Sequence, residues 1–73
     1  MTQKFKSEFF KMIKSKRFGN IYLNKVFEIW NNKQPMFVYI EARTHSNRFI
    51  CESGAGITEK RMLNQINKYC GVI

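Results

Sequence analysis

The sequence predicts an α+β fold, α-β-β-β-α, with two helices packed on one face of a three-stranded antiparallel sheet. Three observations carry that expectation. The apolar period is near 3.6 at the start, becomes two from Ile21, and returns to 3.6 after Thr58. The connections between the period-two runs are too short for crossovers, so neighbouring strands run antiparallel. At 73 residues and 44% hydrophobic, the chain can fill one modest core but not two. Residues 1–73 therefore read as a single domain.

The first helix is predicted over about Thr2 to Phe18. Phe5, Phe9, Met12 and Ile13 fall at i, i+4, i+7 and i+8, the spacing of one buried stripe. The opposite face gathers Gln3, Lys4, Ser7, Lys11 and Lys14, with Glu8 at its edge. Gly19-Asn20 then supplies a helix stop. Ile21 to Trp30 alternates as a strand, and Asn31-Asn32-Lys33-Gln34-Pro35 is a polar connection. Met36 to Ala42 is the second strand, Arg43 to Asn47 a turn, and Arg48 to Glu52 the third strand. Thr58 is a good N-cap, with Glu59 in the first turn; Met62, Leu63, Ile66 and Cys70 mark the stripe of a second helix that Gly71 ends. Phe5, Phe9, Ile13, Leu63 and Ile66 are expected to meet over one sheet face.

Charge narrows the functional classes. Thirteen Lys and Arg against five Glu, with no Asp, give +8. An excess of that size on a small body favours a polyanionic partner. The absence of Asp lowers the prior for metal sites and paired-carboxylate catalysis. His45 sits in a turn without a partner, and no nucleophile stands beside a base, so the reading is non-catalytic, with no metal and no cofactor. Cys51 and Cys70 share no short metal or redox spacing and read as free core thiols. No apolar run is long enough for a membrane helix and no secretory h-region is legible, which places the chain in the cytoplasm and off the membrane. Tyr22, Trp30 and Tyr39 read as core or as a covered sheet face, with a stacking platform for single strands as the alternative.

The element order, length and charge together resemble the double-stranded RNA-binding domain family, over almost the whole chain to about Cys70. Members typically carry Gly-x-Gly-x-Ser/Thr-Lys-Lys-x-Ala where the third strand meets the second helix. This chain reads Gly54-Ala55-Gly56-Ile57-Thr58-Glu59-Lys60-Arg61-Met62. Both glycines, the hydroxyl residue and the second lysine fall in step; Glu59 and Met62 depart. The Gly-Pro-x-His signature expected between the first two strands is missing. The resemblance implies binding to structured or double-stranded RNA. Lys4, Ser7, Glu8, Lys11 and Lys14 of the first helix would lie along the shallow minor groove of A-form RNA. Thr58, Lys60 and Arg61 would meet phosphates at the second helix, with Lys68 farther along. Asn31, Asn32 and Lys33 would reach the next minor groove.

Two other readings compete. One is a DNA-binding three-stranded-sheet domain like the integrase-type arm binders, although those lack a long leading helix. The other is an inhibitor that docks on a host nuclease, RNA-cleaving toxin or other defence protein, with or without RNA. The Lys, Asn, Ile and Phe richness suits a phage-type accessory protein, and a homodimer is compatible with either.

Overall fold

The computed structural model describes residues 2–72, and it corrects the predicted fold class. Four strands, β1 (Gln3–Ser15), β2 (Gly19–Trp30), β3 (Met36–Arg43) and β4 (Phe49–Glu52), form one antiparallel sheet in the order β1-β2-β3-β4. One helix, α1 (Glu59–Cys70), follows. The segment expected to be the first helix is β1, paired along its whole length with β2. The α-β-β-β-α order and the expected first helix are therefore absent among the described residues.

A bulge explains why β1 carries a helical signature. Phe9 pairs with Asn24 and Lys11 with Leu23, which leaves Phe10 as an extra residue. Phe5 and Phe9 are an even number of residues apart and share a strand face in any case. The extra residue shifts the phase, so Met12, three beyond Phe9, returns to that same face opposite Tyr22. An i, i+4, i+7 pattern thus arises from a bulged strand as readily as from a helix. The expected helix stop has the same double meaning. Gly19 has φ +70°, which serves a hairpin turn as well as a helix terminus. The Ser15 hydroxyl closes that turn, donating to the Gly19 carbonyl and accepting from the Phe18 N–H, both at 3.0 Å.

From β2 onward the elements follow the order read from the sequence. Asn31 and Asn32 both take positive φ (50° and 59°), and the Lys33 N–H donates to the Trp30 carbonyl at 2.9 Å, giving a tight hairpin turn. Further bulges interrupt β2–β3 after Val26 and β3–β4 after Ala42. The Thr58 hydroxyl caps α1 by accepting from the Arg61 N–H, and Gly71 (φ 66°) ends it in the left-handed region.

The core lies between one sheet face and α1. Ile21, Leu23, Ile40 and Ala42 from the sheet pack against Met62, Ile66 and Cys70 from the helix, all at most 3% exposed. Phe10, Ile13 and Ile50 close its margins. The expected meeting of Phe5 and Phe9 with the helix does not occur: they are 61% and 62% exposed on the opposite face. The backbone around Lys16 and Arg17 bonds to the end of α1, with the Lys16 N–H donating to the Gly71 carbonyl at 2.7 Å. No helix is long and apolar enough to cross a membrane among the described residues.

Candidate nucleic-acid interface

Strand alternation divides the side chains into two surfaces. Tyr22, Asn24, Val26, Glu28 and Trp30 of β2 point away from α1, and their register partners share that outer face. It carries Phe5, Phe9, Met12, Met36, Tyr39, Arg43 and Phe49 as well. Lys4, Lys6, Glu8 and Lys11 of β1 instead stand opposite Ile29, Phe27, Lys25 and Leu23, on the side that bears α1.

The charge divides with the faces. Nine of the thirteen cations lie on the helix side: Lys4, Lys6, Lys11 and Lys25 on strands, Lys16 and Arg17 beside the end of α1, and Lys60, Arg61 and Lys68 on it. Glu8 and Glu59 are the acids there, giving a net +7. The outer face carries Lys14 and Arg43 against Glu28, Glu41 and Glu52, a net −1. Lys33 and Arg48 occupy turns at the sheet ends and complete the +8.

Some of these cations hold the fold. The Lys25 ammonium reaches Glu59 at 2.9 Å and sits over the rings of Phe10 and Phe37, which ties the start of α1 to β2. The Arg17 guanidinium lies 4.7 Å from the Tyr69 ring centroid and donates to the Tyr69 carbonyl, a favourable place for a cation at a helix C-terminus. Lys6 pairs with Glu8 at 3.0 Å. Lys4, Lys11, Lys16, Lys60, Arg61 and Lys68 make no ion pair among the described residues. Arg61, Asn64, Gln65 and Lys68 line a shallow groove along α1. The Gly54 N–H donates to Gln65 Oε1 at 2.8 Å, which fixes the glycine-rich connection against that groove.

The candidates read from the sequence are partly brought together and partly separated. Lys60, Arg61 and Lys68 share α1, with Thr58 at its cap. Lys4 joins Asn31, Asn32 and Lys33 at one end of the sheet, where the Thr2 N–H donates to Asn31 Oδ1 at 3.1 Å. Lys4, Ser7, Glu8, Lys11 and Lys14, expected on one helical face, are split by the strand: Ser7 and Lys14 point outward, the other three to the helix side. The predicted helix in a minor groove is thereby removed. Lys6, Lys16, Arg17 and Lys25 add to the basic side beyond the residues expected from the sequence. For Lys4, Lys6 and Glu8 the strict alternation was the available signal.

On the outer face, Arg43 donates to Glu41 at 2.8 Å, and that bond raises its pKa. Burial, then Glu52 and Glu41, raise that of the Tyr39 hydroxyl. Tyr22 packs on Phe9 at 5.9 Å between centroids; Tyr22 and Tyr39 are half-buried and Trp30 is exposed, so the face expected to be core or covered is half open. His45 and Arg48 line an open cleft of about 480 Å³ with Phe18, Asn20 and Tyr22 at one end of the sheet. Among the described residues no three His, Cys, Asp or Glu side chains gather into a metal-binding group. Comparison with known proteins finds no match: no family model, no curated protein and no solved structure matches the chain.

Proposed function

We propose that this chain is a non-catalytic nucleic-acid binder that grips phosphate backbone with its helix side, structured RNA being the favoured ligand. The single observation that supports the reading is the segregation of charge, +7 on the helix side against −1 on the outer face. Charge placed for solubility alone has no reason to avoid one face. A concentrated field of this kind attracts a polyanion and releases its counterions on contact. The unpaired cations Arg61 and Lys68, seven residues apart, share one face of α1, with Lys60 about 100° round the helix from Arg61, so phosphates can be met at two points along the groove and at the start of the helix. The glycine-rich connection opening into the capped start of α1 retains the part of the RNA-binding resemblance that does not depend on a first helix.

The removal of that first helix also lifts the objection to a sheet-type DNA binder. The outer sheet face, however, bears three of the five acids, which disfavours its entry into a groove lined by phosphates. Titration of labelled RNA duplex, DNA duplex and single-stranded RNA at two salt concentrations tests the proposal. Affinity for RNA duplex should fall steeply with salt, and Lys60→Ala with Arg61→Ala should flatten that slope by about two charges. Tighter binding to the DNA duplex would move the assignment to DNA. No binding at low salt would end it.

A further inference from the structure

We infer that the outer face of the sheet is a self-association surface, and that its occupant is a second copy of this chain. The face exposes Phe5, Phe9, Met12, Met36, Trp30 and Phe49, each at least 40% open, with Glu28 between Phe5 and Met36 and with Tyr22 and Arg43 between Met12 and Phe49. Apolar exposure on that scale on a soluble chain marks an interaction surface. Bases of a single strand are a poor fit, because stacking platforms work beside cations and this face has a net charge of −1. A copy of the chain is a good fit for the same reason. Two bodies of +8 repel unless they meet where the positive charge is missing, and this is that place.

The dimensions agree. The strands hold 13, 12, 8 and 4 residues. At about 3.3 Å per residue and about 4.8 Å between strands they make a face of roughly 600 Å². Covering it on two copies hides roughly 1,200 Å², the lower edge of stable interfaces. The face is also suited to a two-fold axis. The row of Lys14 and Asn20 lies four β2 residues from Asn24, and the row of Phe5 and Glu28 lies four residues the other way. A two-fold axis across the strands near Asn24 superposes those rows, bringing Lys14 of each copy towards Glu28 of the other. Edge-to-edge pairing is disfavoured at both edges: β1 has Lys4, Lys6, Glu8 and Lys11 along it and a bulge in its middle, and β4 is only 4 residues long. Face-to-face packing buries the aromatic layer in a sheet sandwich and turns both basic sides outward.

Sedimentation velocity with light scattering tests this on the full chain without nucleic acid. The expected mass is twice 8.7 kDa, rising with concentration. Phe5→Glu with Phe9→Glu should give single-chain mass with an unchanged circular dichroism spectrum. Should that variant unfold, Met36→Glu, at the most exposed of these side chains (68%), makes the same test. Glu28→Lys should weaken the dimer about tenfold, and adding Lys14→Glu should restore it. Single-chain mass for the unaltered protein at every concentration would overturn the inference, whether the face then proves to take bases or a different protein. A dimer indifferent to all of these substitutions would overturn it too. The RNA titrations above use other residues, so the two proposals stand or fall separately.

Discussion

Cys51 on β4 and Cys70 at the end of α1 bring their sulfurs to 3.9 Å as free thiols. Burial, and then the neighbouring sulfur, pushes the Cys51 thiol up to about 12; burial raises Cys70 as well. Thiolate is the reactive form, so Cys51 should resist alkylation at neutral pH until the chain unfolds. Labelling by iodoacetamide with and without denaturant checks this, and rapid labelling of the folded chain would contradict it. The same shift sets a pH dependence. A thiol held neutral when folded ionises first in the unfolded chain, so its contribution is complete below the ordinary thiol value near 9. It is lost as pH climbs towards 12, and thermal melts should therefore fall more steeply above pH 9 than those of Cys51→Ala. Thr58 offers a second test at this scale. Its hydroxyl accepts from the Arg61 N–H at 3.2 Å. Thr58→Ala should cost about 1 kcal/mol in chemical denaturation while the rest of α1 stays intact.

At the scale of elements, the sequence made β2, β3, β4 and α1 legible because each depends on local chemistry. Paired positive-φ asparagines mark one hairpin, and a Thr cap and a Gly terminus bound the helix. β1 was hidden because its identity depends on a single extra residue, Phe10, which gives a strand the spacing of a helix. The same ambiguity extends to the site. A helix would have presented Lys4, Ser7, Glu8, Lys11 and Lys14 together, whereas a strand sends Ser7 and Lys14 one way and the others the opposite way. Lys60, Arg61 and Lys68 were legible because α1 was. The strand conformation of this segment also reverses a stability expectation. A buried Phe9 would have cost about 3–5 kcal/mol on truncation to Ala. At 62% exposure Phe9→Ala should cost well below that in the monomer, while Leu23→Ala, fully buried under α1, should cost about 2–5 kcal/mol. Urea melts of the two variants, with Phe9→Ala measured also in the Met36→Glu background, separate burial in the fold from burial between copies.

For the whole molecule, the question is whether total charge or its placement drives binding. The chain measures 41 × 26 × 15 Å, so at low salt, where the screening length is about 30 Å, a purely long-range attraction feels both broad surfaces. Arg61→Glu and Arg48→Glu answer the question, because each lowers the net charge by the same amount. Arg61 stands in the first turn of α1 beside the Lys68 groove, and Arg48 in the β3–β4 turn at the end of the sheet. Neither makes an ion pair among the described residues. An acid in the first turn of a helix suits the dipole, so Arg61→Glu should leave the thermal midpoint unchanged or slightly raised. If contact is made through the helix side, Arg61→Glu weakens RNA duplex binding about tenfold or more at moderate salt and flattens the salt slope. Arg48→Glu changes both much less. Equal losses from the two variants would show that net charge alone attracts the ligand, and would remove the helix side as the specific contact surface.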